Sequence, residues 1–170
     1  PIRHDGYDKV TGRAQYGADI KLPGMIFGAV LRSPHAHAKI LNIDTSKAEN
    51  MNGVFAVMTA KDLPRLTDKQ RGNSEESGSE KHLSENVMAL DKVLYKGHVV
   101  AAVSAKDINT AREAVKKIIV NYKVLKPVIN VDQAMEKGAP ILHEDFIGDH
   151  LGKKVKKTNI ATYNLSLIHI

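Results

Sequence analysis

A mixed α/β fold (α+β class) is predicted for this 170-residue chain by three kinds of sequence pattern. Residues 25–32 place Met25, Phe27, Ala29 and Leu31 on one face and Gly28, Val30 and Arg32 on the other, as a half-buried strand does. Residues 98–104 form a nearly continuous apolar run, which indicates a strand that is covered on both faces. Apolar residues at helical spacing follow that run and precede another alternating segment at 118–124. The sequence therefore predicts a mixed sheet with a few packed helices around one core.

The first half of the chain carries three predicted strands. The first is the alternating segment at 25–32, and the second is predicted over residues 39–44. The third is predicted over residues 54–58, because the turn signal Asn52-Gly53 precedes it. Residues 45–49, between the second and third strands, are predicted to form a short helix.

The second half begins with the apolar strand at 98–104 and continues into a helix. Asp107 is a suitable N-cap for a helix over residues 108–117, whose apolar positions share one face. The strand at 118–124 follows at once, so the three elements form a crossover unit that is right-handed if its strands are parallel. A further short helix is predicted over residues 131–136.

Residues 65–86 interrupt this pattern, because Ser, Glu, Gly and Lys dominate there and few side chains can be buried. Such a composition does not offset the entropy that ordering costs. We expect a mobile loop inserted in a domain that spans residues 1–145.

Composition narrows the classes of function. The chain has no cysteine, so it contains no disulfide, thiolate nucleophile or cysteine-ligated cluster. No apolar run reaches the roughly 20 residues that span a bilayer, and the first residues lack the apolar core of an export signal. We therefore predict no membrane association and a cytoplasmic location. The chain does not start with Met, which suggests a trimmed or incomplete beginning.

The net charge of +6 does not by itself indicate a nucleic-acid partner. Four of the positive charges come from a short lysine cluster near the end of the chain, in a stretch without acidic residues. A basic face on a folded domain is the usual footprint of nucleic-acid binding, whereas a short cluster of this kind is usually solvated. We predict no nucleic-acid partner; the lysines are Lys153, Lys154, Lys156 and Lys157.

The pair His35 and His37 is the first candidate for a metal site, because two imidazoles two residues apart on a strand share one face. Pro34 between the flanking strands indicates a loop or a strand end instead. No Asp, Glu or third His follows nearby at ligand spacing, so a structural role is favoured over metal binding.

A second candidate group is the acidic and histidine-rich stretch from His143 to His150. Metalloproteases of the zincin type need two histidines four positions apart on a helix, whereas these two are seven apart with Gly148 between them. The motif fails, and a loop after Pro140 is favoured. The other members of the group are Glu144, Asp145 and Asp149.

The remaining motifs are equally weak. Gly97-His98 could bring backbone close to a ligand, but a glycine there more often allows a tight entry into a strand. The glycines near the start of the chain form neither a dinucleotide fingerprint nor a phosphate loop. We therefore assign no catalytic, cofactor-binding or metal-binding residue to this chain.

Four ordered segments resemble the N-terminal part of the molybdopterin-binding large subunit of the xanthine dehydrogenase/aldehyde oxidase family. The similarity continues through YKVLKPVINVDQAM and ILHEDF, to about Tyr163. The four segments are Asp5 to Ile20 (DGYDKVTGRAQYGADI), Leu22 to Ala48 (LPGMIFGAVLRSPHAHAKILNIDTSKA), Gly53 to Leu63 (GVFAVMTAKDL) and Leu94 to Val103 (LYKGHVVAAV).

This resemblance implies an α/β hammerhead domain, in which His35 and His37 belong to the fold motif. It also implies hydroxylation of an aldehyde or N-heterocycle carbon with oxygen from water, on a molybdenum–pterin cofactor. Electrons then leave through iron–sulfur clusters and FAD in partner subunits or domains. The cofactor and the small-molecule substrate are bound by domains that this sequence lacks, so the chain alone is expected to be inactive.

The end of the chain departs from the family pattern. Residues 146–164 are expected to be a linker toward the absent molybdenum-cofactor domains. Residues 165–170 match an in-frame translation of an adapter end that is used in sequencing libraries, so we expect them to be an artefact. An alternative hypothesis is that the chain is a free-standing interaction or assembly module without catalysis.

Overall fold

The computed structural model describes residues 3–63, 86–144 and 146–165. The helices bounded within these ranges are α1 (Gly6–Val10), a 3-10 helix (Gly17–Asp19), α2 (Ser46–Glu49), α3 (Ile108–Lys117) and α4 (Val131–Met135). The strands are β1 (Phe27–Arg32), β2 (Ala38–Asp44), β3 (Val54–Thr59), β4 (Lys92–Val93), β5 (Val99–Ala105), β6 (Ile119–Val124), β7 (Ile147–His150), β8 (Lys153–Lys156) and β9 (Thr162–Tyr163). The mixed α/β fold class is confirmed.

The strands form three small sheets. The first has the order β1-β5-β3 and the second has the order β4-β2-β6, and all their pairs are antiparallel. The third has the order β8-β7-β9, with an antiparallel pair and a parallel pair. A mixed sheet is thus found in the last part of the described chain, while the two larger sheets are antiparallel.

Strand β5 is the centre of the first sheet, and its side chains are buried in alternation with half-buried ones. Its residues Ala101 and Val103 pack with Ala48, Ala114 and Ile118 from the helical side. Val100 belongs to a second cluster, which contains Ala38, Ala89 and Val93. The apolar run at 98–104 predicted this covered strand.

Helix α3 begins and ends where its sequence predicts. The Asp107 carboxylate accepts hydrogen bonds from the Thr110 backbone N–H at 2.8 Å and from the Thr110 hydroxyl at 2.7 Å. Ala111 and Ala114, on the predicted apolar face, are fully buried. Lys116 and Lys117 end the helix, where positive charges interact favourably with the negative end of the helix dipole.

The predicted crossover unit needs a correction, because β5 and β6 lie in different sheets. Only Ile118 separates α3 from β6. Both edges of β5 are already paired, with β1 and with β3, so β5 has no free edge for β6. Strand β6 instead pairs with β2, with Ile119 opposite Asp44. Helix α3 therefore connects the two sheets.

Several expectations fall on or near undescribed residues. The predicted mobile loop 65–86 lies outside the described residues except for Asn86, and the predicted artefact 165–170 does so except for Leu165. The predicted linker 146–164 contains the third sheet, so it has regular structure of its own; its role as a linker stays a prediction. Within the described ranges, no helix has the length and apolar character to cross a membrane.

We expect Asp107→Ala to destabilise the folded state near neutral pH and much less in strong acid. The Thr110 backbone N–H, and then its hydroxyl, lower the pKa of Asp107 below its ordinary value of 3.8. A carboxyl with a lowered folded pKa stabilises the fold above its unfolded pKa, and this stabilisation disappears as pH falls through the folded pKa. Melting temperatures of the parent and the Ala variant at about pH 7 and about pH 2 check this. Asp107→Asn is the control, because it caps without titrating. If the difference in melting temperature between the parent and the Ala variant is the same at about pH 7 and about pH 2, the capping role of the Asp107 carboxylate is contradicted.

We expect Val93→Ala to lower the free energy of unfolding by about 2 kcal/mol, because it removes two methyl groups from a fully buried site. Val124→Ala is the matched control, since the Val124 side chain on β6 is 61% exposed. The control should stay within about 0.5 kcal/mol of the parent. Urea titrations compare the two variants, and equal losses would show that the cluster around Val93 is not a core.

Candidate functional site

The His-x-His segment lies in residues 33–37, the loop that carries the chain from β1 to β2. The buried Ser33 hydroxyl closes a tight turn at its start. It accepts a hydrogen bond from the His35 backbone N–H at 3.0 Å and donates one to the His35 carbonyl at 3.1 Å. Pro34 lies between these two residues, and neither bond needs a backbone donor from it.

Backbone bonds join this loop to the entry of β5. The Ser33 N–H donates to the His98 carbonyl and the Gly97 N–H donates to the Ser33 carbonyl, both at 2.9 Å. Gly97 has a φ of 88°, which favours glycine, and it therefore permits the tight entry into the strand that its sequence predicts. The Arg32 guanidinium adds a bond of 2.9 Å to the Gly97 carbonyl.

His37 joins the other end of the loop to the exit of β6. Its side chain is 4% exposed, and its Nδ1 lies 2.7 Å from the Lys126 carbonyl, so Nδ1 carries the proton that it donates. The Leu125 N–H donates to the His37 carbonyl at 3.0 Å. The buried Nε2 has no hydrogen-bond partner in the described part of the chain. His37 is thus an anchor of the backbone.

His35 has a different environment. Its ring meets the Tyr122 ring edge-on, with 5.1 Å between the ring centroids. Burial raises the pKa of Tyr122 above its ordinary value, so the phenol is neutral at physiological pH. His35 thus contacts an aromatic ring on β6, whereas His37 donates a hydrogen bond to the Lys126 carbonyl, which follows β6. Among residues 3–63, 86–144 and 146–165, no three His, Asp or Glu side chains are grouped to hold a metal ion.

The group between His143 and His150 is dispersed over two elements. Glu144 accepts from Lys92 at 3.3 Å, and Asp149 accepts from the Gly152 N–H at 2.8 Å. His150 lies on β7, where its Nε2 is 3.3 Å from the Ile160 carbonyl. These side chains make structural contacts in the loop before β7 and in the third sheet. Asp145 lies outside the described residues.

Three of the four clustered lysines lie on strand β8, and all four side chains are exposed. Lys153, Lys154 and Lys156 are exposed residues of β8, and Lys157 follows it with a φ of 56°. Lys154 pairs with Asp149 at 3.4 Å. Strand β8 pairs with β7 in the third sheet, and the exposed lysine side chains agree with the solvated character that the sequence analysis favours.

Sequence reasoning missed the structural role of His98. Its side chain is fully buried, its Nδ1 accepts a bond from the Leu94 N–H at 3.3 Å, and its ring stacks on Tyr95 with centroids 4.4 Å apart. The signal was present in the sequence, because an aromatic residue precedes a histidine by three positions at the start of a buried strand. The described residues therefore include several histidines that act as structural anchors. The assignment of no site residue stays a prediction.

We expect His37→Leu to destabilise the fold by about 1–3 kcal/mol, because the buried His37 ring donates a partly buried hydrogen bond to the Lys126 carbonyl and the variant removes this donor. His35→Phe is the control, since it keeps a ring against Tyr122 and should cost less. Urea unfolding of both variants gives the comparison. If the His37→Leu variant is as stable as the parent, the role of His37 as an anchor of the backbone is contradicted.

A molybdenum–pterin cofactor finds no fitting cradle among the described residues. Among the described residues, the one buried side-chain nitrogen or oxygen without a partner is Nε2 of His37, and it belongs to no group of three possible metal ligands. We therefore assign no residue of this chain to that cofactor.

A family model and individual relatives place this chain in the same protein family. Residues 11–126 match the family described as aldehyde oxidase and xanthine dehydrogenase, a/b hammerhead domain. Over 135 residues the chain is 43% identical to the carbon monoxide dehydrogenase large chain of Afipia carboxidovorans, in a match that covers 79% of this chain and 16% of that relative. Over 163 residues it is 34% identical to aldehyde oxidase 3 of Mus musculus, in a match that covers 94% of this chain and 11% of that relative.

A solved structure shows the same fold. The crystal structure of Cu,Mo-CO dehydrogenase in its carbon monoxide reduced state superposes with a TM-score of 0.70 and 38% sequence identity. The superposition covers 85% of this chain and 18% of that one. The chain thus spans less than a fifth of the length of these relatives. It belongs to the aldehyde oxidase and xanthine dehydrogenase family, of which it carries the α/β hammerhead domain.

Proposed function

We propose that this hammerhead domain is part of the large subunit of a molybdenum hydroxylase. The observation that carries the proposal is the match over residues 11–126 together with 43% identity to the large chain of a carbon monoxide dehydrogenase. The proposed reaction replaces a hydrogen on an aldehyde or N-heterocycle carbon by a hydroxyl group whose oxygen comes from water. Two electrons leave the substrate in that oxidation.

The proposed cofactors lie outside this chain. Molybdenum–pterin, when bound by the other domains of the large subunit, supplies the oxidation of the carbon. Iron–sulfur clusters and FAD in partner subunits or domains take up the electrons. This assignment is supported by the absence of cysteine from the chain and by the structural hydrogen bonds that Ser33 and His37 make in the loop at residues 33–37. The domain then contributes shape and interfaces, and the location in the cytoplasm stays a prediction.

A second candidate function is a free-standing interaction or assembly module. It is favoured by one observation, namely that the described residues form a fold without a metal-binding group. The two candidates differ in the sequence that comes after this chain in its gene. A reading frame that continues into further family sequence supports the enzyme, whereas a native stop codon after about Asn164 supports the module.

We expect the 170-residue chain alone to bind no molybdenum and to oxidise no substrate, because the proposed cofactor is bound by other domains of the large subunit and the described residues here hold no group of three His, Asp or Glu side chains for a metal ion. The longer polypeptide, obtained by extending the reading frame and expressed with its partner subunits, should contain molybdenum and oxidise aldehydes or N-heterocycles. Elemental analysis and a dye-reduction assay on both substrate classes make the measurement. A longer polypeptide without molybdenum would overturn the proposed function. Oxidation of carbon monoxide but of neither class would overturn the proposed substrate class.

A further inference from the structure

The turn that precedes β3 carries the one Asn-Gly pair of the sequence, Asn52-Gly53. The Val54 N–H donates to the Met51 carbonyl at 3.1 Å and closes this turn. Gly53 occupies the third position of the turn with a φ of 87°, a conformation that favours glycine. The turn thus requires the glycine, whereas no contact of the turn requires an asparagine beside it.

The two groups of this pair that can react with each other are free of hydrogen bonds. The Asn52 side chain is exposed, and its amide makes no hydrogen bond within the described ranges. The Gly53 N–H likewise has no acceptor among the described residues. Glycine has no Cβ, so no side chain on residue 53 hinders the approach of its backbone nitrogen to the Asn52 amide carbon.

Asn50, two residues earlier, is the nearest asparagine for comparison, and it is held firmly. Its side-chain nitrogen donates to the Ser46 carbonyl at 2.8 Å. The N–H of the residue that follows it, Met51, donates to the Ala48 carbonyl at 3.2 Å. The side chain of Asn159 is also held, by three hydrogen bonds. The asparagine of the turn therefore differs from these two in its free groups as well as in the glycine that follows it.

We propose that Asn52 is a site of spontaneous deamidation, which converts it into a mixture of aspartate and isoaspartate. The Gly53 backbone nitrogen loses its proton to hydroxide and attacks the side-chain amide carbon (Cγ) of Asn52. A C–N bond forms, the side-chain nitrogen leaves as ammonia, and a five-membered succinimide ring results.

Water then opens the succinimide ring at one of its two carbonyl carbons. Opening at Cγ restores the original backbone and leaves an aspartate at position 52. Opening at the backbone carbonyl carbon leaves an isoaspartate, in which the chain continues through the former side chain. The reaction takes up one water, releases one ammonia and involves no oxidation or reduction.

The isoaspartate product changes the backbone at a point that joins two strands. The Gly53 carbonyl accepts a hydrogen bond at 2.9 Å from the N–H of Lys106, which directly follows β5. The Lys106 stem lies so close that a Cβ on Gly53 would meet its carbons at 2.7–3.0 Å. Val54 follows, opposite Ala105 of β5. Because isoaspartate adds one carbon atom to the backbone of this tightly packed turn, we expect the bond that closes the turn and the bond from Lys106 to be lost.

Peptide mass spectrometry of the folded 170-residue chain in mildly alkaline buffer tests the proposal. Fragment ions should place the mass increase at Asn52 and resolve both isomers. The rate at Asn52 should exceed that at Asn50 by at least about 10-fold, because Asn50 must first break two hydrogen bonds. Equal rates at the two asparagines would overturn the proposal. Aspartate without isoaspartate would also overturn it, because that product indicates direct hydrolysis by water.

A second Asn-Gly pair at an exposed position isolates the contribution of the structure. Val131→Gly places a glycine after Asn130, and the Val131 side chain is 72% exposed. The Asn130 side-chain oxygen accepts a hydrogen bond from the Gln133 N–H at 2.8 Å. In the folded variant, Asn130 should deamidate at least about 5-fold more slowly than Asn52, because this bond must break first. In urea the two sites should react at similar rates. If their rates are also equal in the folded variant, the role of the free groups in the turn is contradicted.

The structural consequence is tested on the separated products. The isoaspartate form, isolated by chromatography, should melt about 4–8 °C below the parent, as expected for the loss of two hydrogen bonds in a chain of this length. Asn52→Asp is the control, because it carries the same charge without the added backbone atom. It should melt within about 2 °C of the parent. An isoaspartate form that melts together with the Asn52→Asp variant would show that the turn tolerates the added atom, against the proposed consequence.

Discussion

The hydrogen bonds of the loop at residues 33–37 are the constraint on which the arrangement of the two main sheets depends. The loop leaves β1 in the first sheet and enters β2 in the second. Ser33 bonds it to the entry of β5, and His37 bonds it to the chain beyond β6. This one short loop therefore ties the central strand of one sheet to the edge strand of the other.

Those bonds also give the two histidines of this suggestive pattern separate structural contacts. A metal site needs imidazole nitrogens that converge and are free to coordinate. Here Nδ1 of His37 is used by a carbonyl, and the ring of His35 faces Tyr122. The same residues that invite a metal-site hypothesis are explained by their contribution to a domain shared across an enzyme family. In the proposed enzyme, catalysis belongs to other domains, and this domain contributes a scaffold and surfaces.

Local features of the fold were predictable from sequence, and distant pairings were not. Helix α3 was predicted to the residue because its signals, the Asp107 cap and the buried alanines, lie at or within the helix itself. The placement of β6 in the second sheet depends on β2, which lies far earlier in the chain and carries no local mark of that pairing. The His37 anchor depends on Lys126, 89 positions away. The third sheet was missed because its strands have only two to four residues and β8 is lysine-rich, so none of them shows a clear apolar alternation.

The central position of β5 has a consequence for the synthesis of the protein. Strands β1 and β3 pair only with β5 in the described structure, and Phe27 lies opposite Ala105. The ribosome therefore releases two apolar strands well before the strand that joins them. At roughly 5–20 residues per second, β1 waits for several seconds without its partner. During that interval, its protection from aggregation depends on chaperones and on the dilution of nascent chains, since no hydrogen-bonded sheet yet exists to cover it.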